Sequence, residues 1–195
     1  MPNYPGFRVA EILKVLSYLS THTVKKMRFD LIPHVGASII KLGMSREEIR
    51  STLGKPEHST EKSVFQFEEV AIQRPAMDGY FNSELQITFD DRGMADFIEF
   101  SGRGAKHTKV FLSGVDVFHT PAPDLIRTIS AITKTEFDKD EEEMPYTYVF
   151  PDVDLGVWRQ VVADQYEDEN QIPESDDGKY FWTIGIGVKG YYKKE

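Results

Sequence analysis

Residues 41–57 read KLGMSREEIRSTLGKPE. The stretch carries its own start and stop signals. Ser45 is a good N-cap, and Glu48 three residues later completes a capping box. Met44, just before the cap, can staple onto Ile49. Glu47 and Glu48 put negative charge in the first turn, where the helix dipole favours it. Ile49 and Leu53 are four apart and share a face. Gly54 suits the left-handed backbone that ends a helix, and Pro56 prevents continuation. The spacing predicts a helix of about two to three turns with one apolar side. Ahead of it, Ala37–Leu42 reads as a short strand or extended lead-in.

Working outward, a meander of strands follows. Val64–Phe67 is one candidate. Leu85, Ile87 and Phe89 alternate within Glu84–Asp90, which reads as a half-buried strand. Asp90-Asp91-Arg92-Gly93 is a hairpin turn, with Gly93 suited to positive φ. Ala95–Phe100 returns. The order then repeats. Thr120-Pro121 is an N-cap followed by proline at the first helical position. Leu125, Ile129 and Ile132 form an apolar stripe. Tyr146–Phe150, Val153–Val162 and Lys179–Lys189 read as strands. Val9, Ile12, Leu13, Leu16 and Leu19 give residues near the N-terminus a helical apolar face, expected to pack on the domain or to serve as a homodimer contact. The expectation is therefore an α+β protein: two similar helix-plus-antiparallel-meander halves with an extra N-terminal helix. The N-terminal extension is placed at 1–28, the first half at 29–104 and the second, with acidic insertions, at 105–195. The Gly-rich Ser101–Lys106 stretch reads as the linker between halves.

The chain has 195 residues, 40% of them hydrophobic and 12% aromatic, enough to build a core. It has no cysteine, which excludes disulfides and thiolate metal sites and fits a reducing cytoplasm. Glu11 and Lys14 interrupt the N-terminal apolar run, so no signal peptide is expected. No apolar run reaches the roughly 18 residues of a membrane helix, so no membrane association is expected. Net charge is −9 and very uneven. Residues 136–177 hold 15 Asp+Glu against 2 Lys+Arg. Such a segment repels a phosphate backbone, which argues against a nucleic-acid partner.

The five histidines, His22, His34, His58, His107 and His119, form no H-x-x-x-H or H-E-x-x-H pair. Neither a G-x-S-x-G elbow nor a Walker A loop is present. In the acidic run from Asp138, Glu143 stands where a calcium loop needs glycine. No catalytic residue, metal or cofactor is expected. The acidic residues Asp138, Asp140, Glu141, Glu142, Glu143, Asp168, Glu169, Asp176 and Asp177 accompany the aromatics Tyr146, Tyr148, Trp158 and Trp182. Acidic rims speed association with a positive partner and aromatic anchors supply contact area, so these residues are the candidate docking surface for a basic protein. The enzymatic alternative is a hydrolase built on Asp152 and Asp154. They are two apart on an expected strand, so both would point to one face and divide acid and base roles.

Residues 42–56, LGMSREEIRSTLGKP, resemble the SmpA/OmlA (BamE) family motif, a G-M-[ST]-x-x-x-[VI]-x-x-x-[LF]-G-x-P pattern. The duplicated helix-plus-meander plan is similar to that of the β-lactamase inhibitor protein (BLIP) family. The resemblance implies structural roles for Gly43, Met44, Ser45, Ile49, Leu53, Gly54 and Pro56, and a BLIP-like fold whose members mostly bind other proteins. A looser resemblance is to small acidic bacterial immunity proteins. Together these imply a non-enzymatic, immunity-like inhibitor of a basic toxin or enzyme. An envelope-assembly module of SmpA/OmlA type is the structural alternative.

Overall fold

The computed structural model describes residues 26–67, 70–134, 137, 146–162 and 178–193. Helix α1 (Arg46–Leu53) starts and stops where its punctuation predicts. The Glu48 carboxylate accepts from the Ser45 N–H at 2.8 Å, and the Ser45 hydroxyl oxygen accepts from the Glu48 N–H. Gly54 ends the helix at φ 87°. The second helix, α2 (Ala122–Ser130), differs at its start. Pro121 occupies the N-cap position without a side-chain cap, and Thr120 Oγ1 donates to the Asp116 carbonyl instead.

The α+β plan, in the manner of BLIP or BamE proteins, is overturned. The described residues contain fourteen strands in three sheets, and the two helices span only eight and nine residues. The physical reason lies in the spacing. Apolar alternation with period two dominates the sequence, and each helix supplies only a few buried side chains to cover a sheet. The expected N-terminal helix and its homodimer contact lie outside the described residues.

Seven strands form the main sheet. In spatial order they are β12 (Thr147–Phe150), β13 (Leu155–Trp158), β14 (Thr183–Gly187), β9 (Ala95–Ser101), β8 (Leu85–Phe89), β7 (Ala76–Tyr80) and β4 (His58–Thr60). All six pairings are antiparallel. A smaller sheet runs β11 (Val115–Asp116), β10 (Thr108–Leu112), β1 (Met27–Ile32), β2 (Gly36–Ala37) and β3 (Ile40–Lys41). Here β1 and β10 pair in parallel, a departure from the all-antiparallel expectation. A parallel pair needs a long crossover, and the whole first meander supplies it. The third sheet is the two-stranded ribbon β5 (Ser63–Phe67) and β6 (Val70–Arg74).

One core serves both larger sheets. Leu85, Ile87 and Phe89 of β8, Ile98 and Phe100 of β9, and Ile184 and Ile186 of β14 point inward. They meet Phe29 and Leu31 of β1, Ile49 of α1, and Leu125 and Ile129 of α2. Burying each such side chain contributes about 1.5–3 kcal/mol. The sheets also cross the expected division at residue 104. β14 pairs with β9, and β10 with β1. The Ser101–Lys106 stretch is no free linker either. Glu84 accepts from the N–H groups of Lys106, His107 and Thr108 and from the Thr108 hydroxyl, at 2.6–3.0 Å. Burial pushes the Glu84 carboxyl up, but these donors outweigh it and hold its pKa low.

Candidate protein-binding face

The outer face of the main sheet is set by the pleat. Leu155 and Val157 of β13 are buried, so Gly156 and Trp158 face outward. Trp158 lies opposite Thr147 of β12 and Thr183 of β14. Trp182, just before β14, donates its backbone N–H to the Trp158 carbonyl at 2.7 Å. That bond brings the two indoles edge to face, with centroids 5.7 Å apart at 89°. The Arg103 guanidinium lies 3.9 Å from the Trp182 ring centroid. Trp158 is 37% exposed.

The acidic segment joins the chain at this end. Arg159 donates its N–H to the Tyr146 carbonyl and Nη1 to the Gly178 carbonyl, both at 2.8 Å. Tyr146 directly follows residues 138–145, and Gly178 directly follows residues 163–177. Asp138, Asp140, Glu141, Glu142, Glu143, Asp168, Glu169, Asp176 and Asp177 lie outside the described residues. The four expected aromatics divide. Trp158, exposed, and Trp182, half-buried, come together edge to face. Tyr146 is half-buried just before β12. Tyr148 turns to the core side, its ring 5.3 Å from Phe137 and 5.7 Å from Phe181, and has a packing role.

Next to the indoles, the same face carries a second aromatic group. Phe97 stacks on Tyr191 at 4.6 Å, and Tyr192 meets both edge-on. Glycines make the floor. A Cβ on Gly185 would lie 2.1 Å from Phe97 Cζ, and one on Gly156 would lie 2.6 Å from the Tyr192 hydroxyl. Burial in this layer pushes the Tyr191, Tyr192 and Glu99 pKa values up.

Asp152 and Asp154 do not form the facing pair that their spacing implied. Residues 151–154 are a turn, not a strand, and Asp154 has φ 44°. Its buried carboxylate accepts from the N–H groups of Gly190 and Tyr192 at 2.8 and 3.0 Å and meets His34 Nε2 at 2.8 Å. Asp152 accepts from the Lys134 N–H instead. The Asp154 carboxylate is thus committed to holding the C-terminal turn.

Sequence reasoning missed the main buried charge cluster. Asp78, fully buried on β7, accepts from Arg46 Nε and Nη2 at 3.1 and 2.8 Å, Arg50 Nε at 2.8 Å and Ser59 Oγ at 2.9 Å. Burial pushes its carboxyl up, but the bonds from Arg50, Arg46 and Ser59 outweigh that and hold it at about 2. Among the described residues, the neighbouring Tyr80 hydroxyl has no hydrogen-bond partner within 3.5 Å. Burial and the Asp78 charge push it up to about 12. The cluster ties α1 to the sheet and consumes both arginines. Its one legible signal was the position of Arg46 and Arg50, four apart on one helix face.

Among the described residues there is no group of three or more His, Asp or Glu side chains arranged to hold a metal. Nor is any helix among them long and apolar enough to cross a membrane. Comparison with known proteins returned no matching family model, no matching curated protein and no matching solved structure.

Proposed function

We propose that this protein is a non-enzymatic binding module that grips a basic protein, in the manner of an immunity-like inhibitor of a toxin or enzyme. The observation that carries the reading is the edge-to-face Trp158–Trp182 pair, exposed at Trp158 and half-buried at Trp182, near Tyr146 and Gly178, which directly follow residues 138–145 and 163–177. Rigid aromatic side chains bury large areas at low entropic cost, and they dominate contact energetics. The 15 Asp+Glu of residues 136–177 supply a negative charge that steers a positive partner and rejects an acidic one. A cysteine-free chain suits a reducing compartment, so the cytoplasm is the setting this reading takes.

The test is retention of proteins by the immobilised full chain, compared between wild type and Trp158→Ala. The reading predicts a partner of high isoelectric point that wild type retains and the variant releases. An identical retained set for both chains, or a retained partner that is acidic, contradicts it.

A further inference from the structure

Among the described residues, β5 and β6 pair only with each other. The ribbon is inserted between β4 and β7, which pair directly without it. Residues 61–66 and 71–75 are all exposed. Val64 is 61% exposed, Phe65 50% and Ile72 46%. A two-stranded ribbon is marginal alone in water, and its free edges leave main-chain donors and acceptors open to an added strand. Beneath it lies a cleft of about 610 Å³. Its lining includes Lys62, Gln73 and Pro75 from the ribbon and its flanks, and Asp90, Asp91 and Asp96 from β9 and the turn that precedes it. Gln73 lies directly across from Val64, so Val64 shares the cleft-side face of the ribbon.

The charges select the occupant. The two cations of the cleft are already matched, Lys62 with Asp91 and Arg92 with Asp90. Among the described residues, the Asp96 carboxylate bonds only to a neutral hydroxyl, Thr88 Oγ1 at 2.6 Å. An arriving cation finds an unmatched carboxylate there, and an arriving anion finds no free cation in this cleft. Three exposed apolar side chains fall well short of the roughly 800 Å² per partner that a stable dimer buries, so a second copy is a poor match.

We infer that this cleft receives an extended segment of a basic protein, with an apolar side chain against Val64 and a Lys or Arg side chain on Asp96. The inference rests on the reading of the protein as a binder of basic partners, and it adds a second contact away from the indole pair. A ribbon strand of five residues spans about 17 Å, so a hexapeptide matches it.

The probe is an acetylated, amidated (Arg-Val)₃ peptide, with (Glu-Val)₃ as its control, titrated into the ¹⁵N-labelled full chain. The (Arg-Val)₃ peptide is expected to shift the amides of Val64, Gln73 and Asp96, and (Glu-Val)₃ to leave them unmoved. Asp96→Asn, which keeps its size and the Thr88 bond, should weaken binding roughly tenfold, as loss of one charge-assisted hydrogen bond does. Val64→Ser alters only an exposed side chain and should weaken it several-fold. Binding equal to wild type in both variants, or no shift at the cleft, overturns the inference. Shifts confined to Trp158 and Trp182 also overturn it and leave the proposed function standing. That function fails separately, when Trp158→Ala retains the same proteins as wild type.

Discussion

Asp78 offers the sharpest test of how the fold is held together. Replacing it by Ala removes the acceptor that Arg46 and Arg50 share. The two arginines then fare differently. Arg50 is 38% exposed and can turn to water, whereas Arg46 is 10% exposed and cannot. Arg46 keeps Glu61, Ser59 Oγ and the carbonyls of Thr60 and Met77 as acceptors. One buried cation therefore loses its main counterion, and the cost should fall near the low end for a broken buried pair, about 3 kcal/mol. Asp78→Asn keeps the volume and loses only the charge. A carboxyl held at about 2, against an ordinary 3.8, contributes on the order of 2 kcal/mol at neutral pH. Because the folded pKa is depressed, that contribution is complete above about pH 4 and is lost as pH falls through about 2. Urea unfolding of wild type and Asp78→Asn should show a gap that is full at pH 7, about half as large near pH 3 and largely gone at pH 2. Other carboxylates titrate in both chains and cancel in the difference. A gap that stays constant from pH 7 to pH 2, or an Ala variant costing under about 1 kcal/mol, would refute the reasoning.

Gly185→Ala forces a methyl group against Phe97 and should cost about 1–3 kcal/mol, read as a lowered Tm that Phe97→Leu partly restores. Asp154→Ala leaves the Gly190 and Tyr192 N–H groups without their acceptor. Hydrogen exchange at those two amides should quicken about tenfold or more, and an unchanged rate would show that the carboxylate does not hold the turn. With a basic partner in hand, replacing Glu141, Glu142 and Glu143 together by Gln should slow association and flatten its salt dependence. Dissociation should barely change, because exposed pairs add only about 0–1 kcal/mol each to the bound state.

Local physics was legible in the sequence, and long-range partnership was not. The Ser45–Glu48 box, Gly54 and the Asp90–Gly93 turn involve residues within a few positions of one another, and each forms as read; Gly93 has φ 74°. The half-buried strand expected over Glu84–Asp90 forms as Leu85–Phe89, and just before it Phe81, Asn82 and Ser83 all take positive φ and turn the chain. Asn82 and Ser83 are the turn-forming signals there. The Asp78–Arg46 pair joins residues 32 positions apart, and no local pattern announces it. The parallel union of β1 and β10 is likewise invisible to periodicity, which reports faces and not neighbours. On the candidate face, composition singled out the aromatics but could not sort them. Tyr148 and Trp158 lie on adjacent strands, and only the strand register sends one ring inward and the other out.

The dissociation rate of the retained partner from Trp158→Ala tests the central claim most directly. If the indole pair anchors a basic protein, removing one ring should raise that rate at least about tenfold while association stays near the wild-type value. A dissociation rate equal to that of wild type would contradict the account.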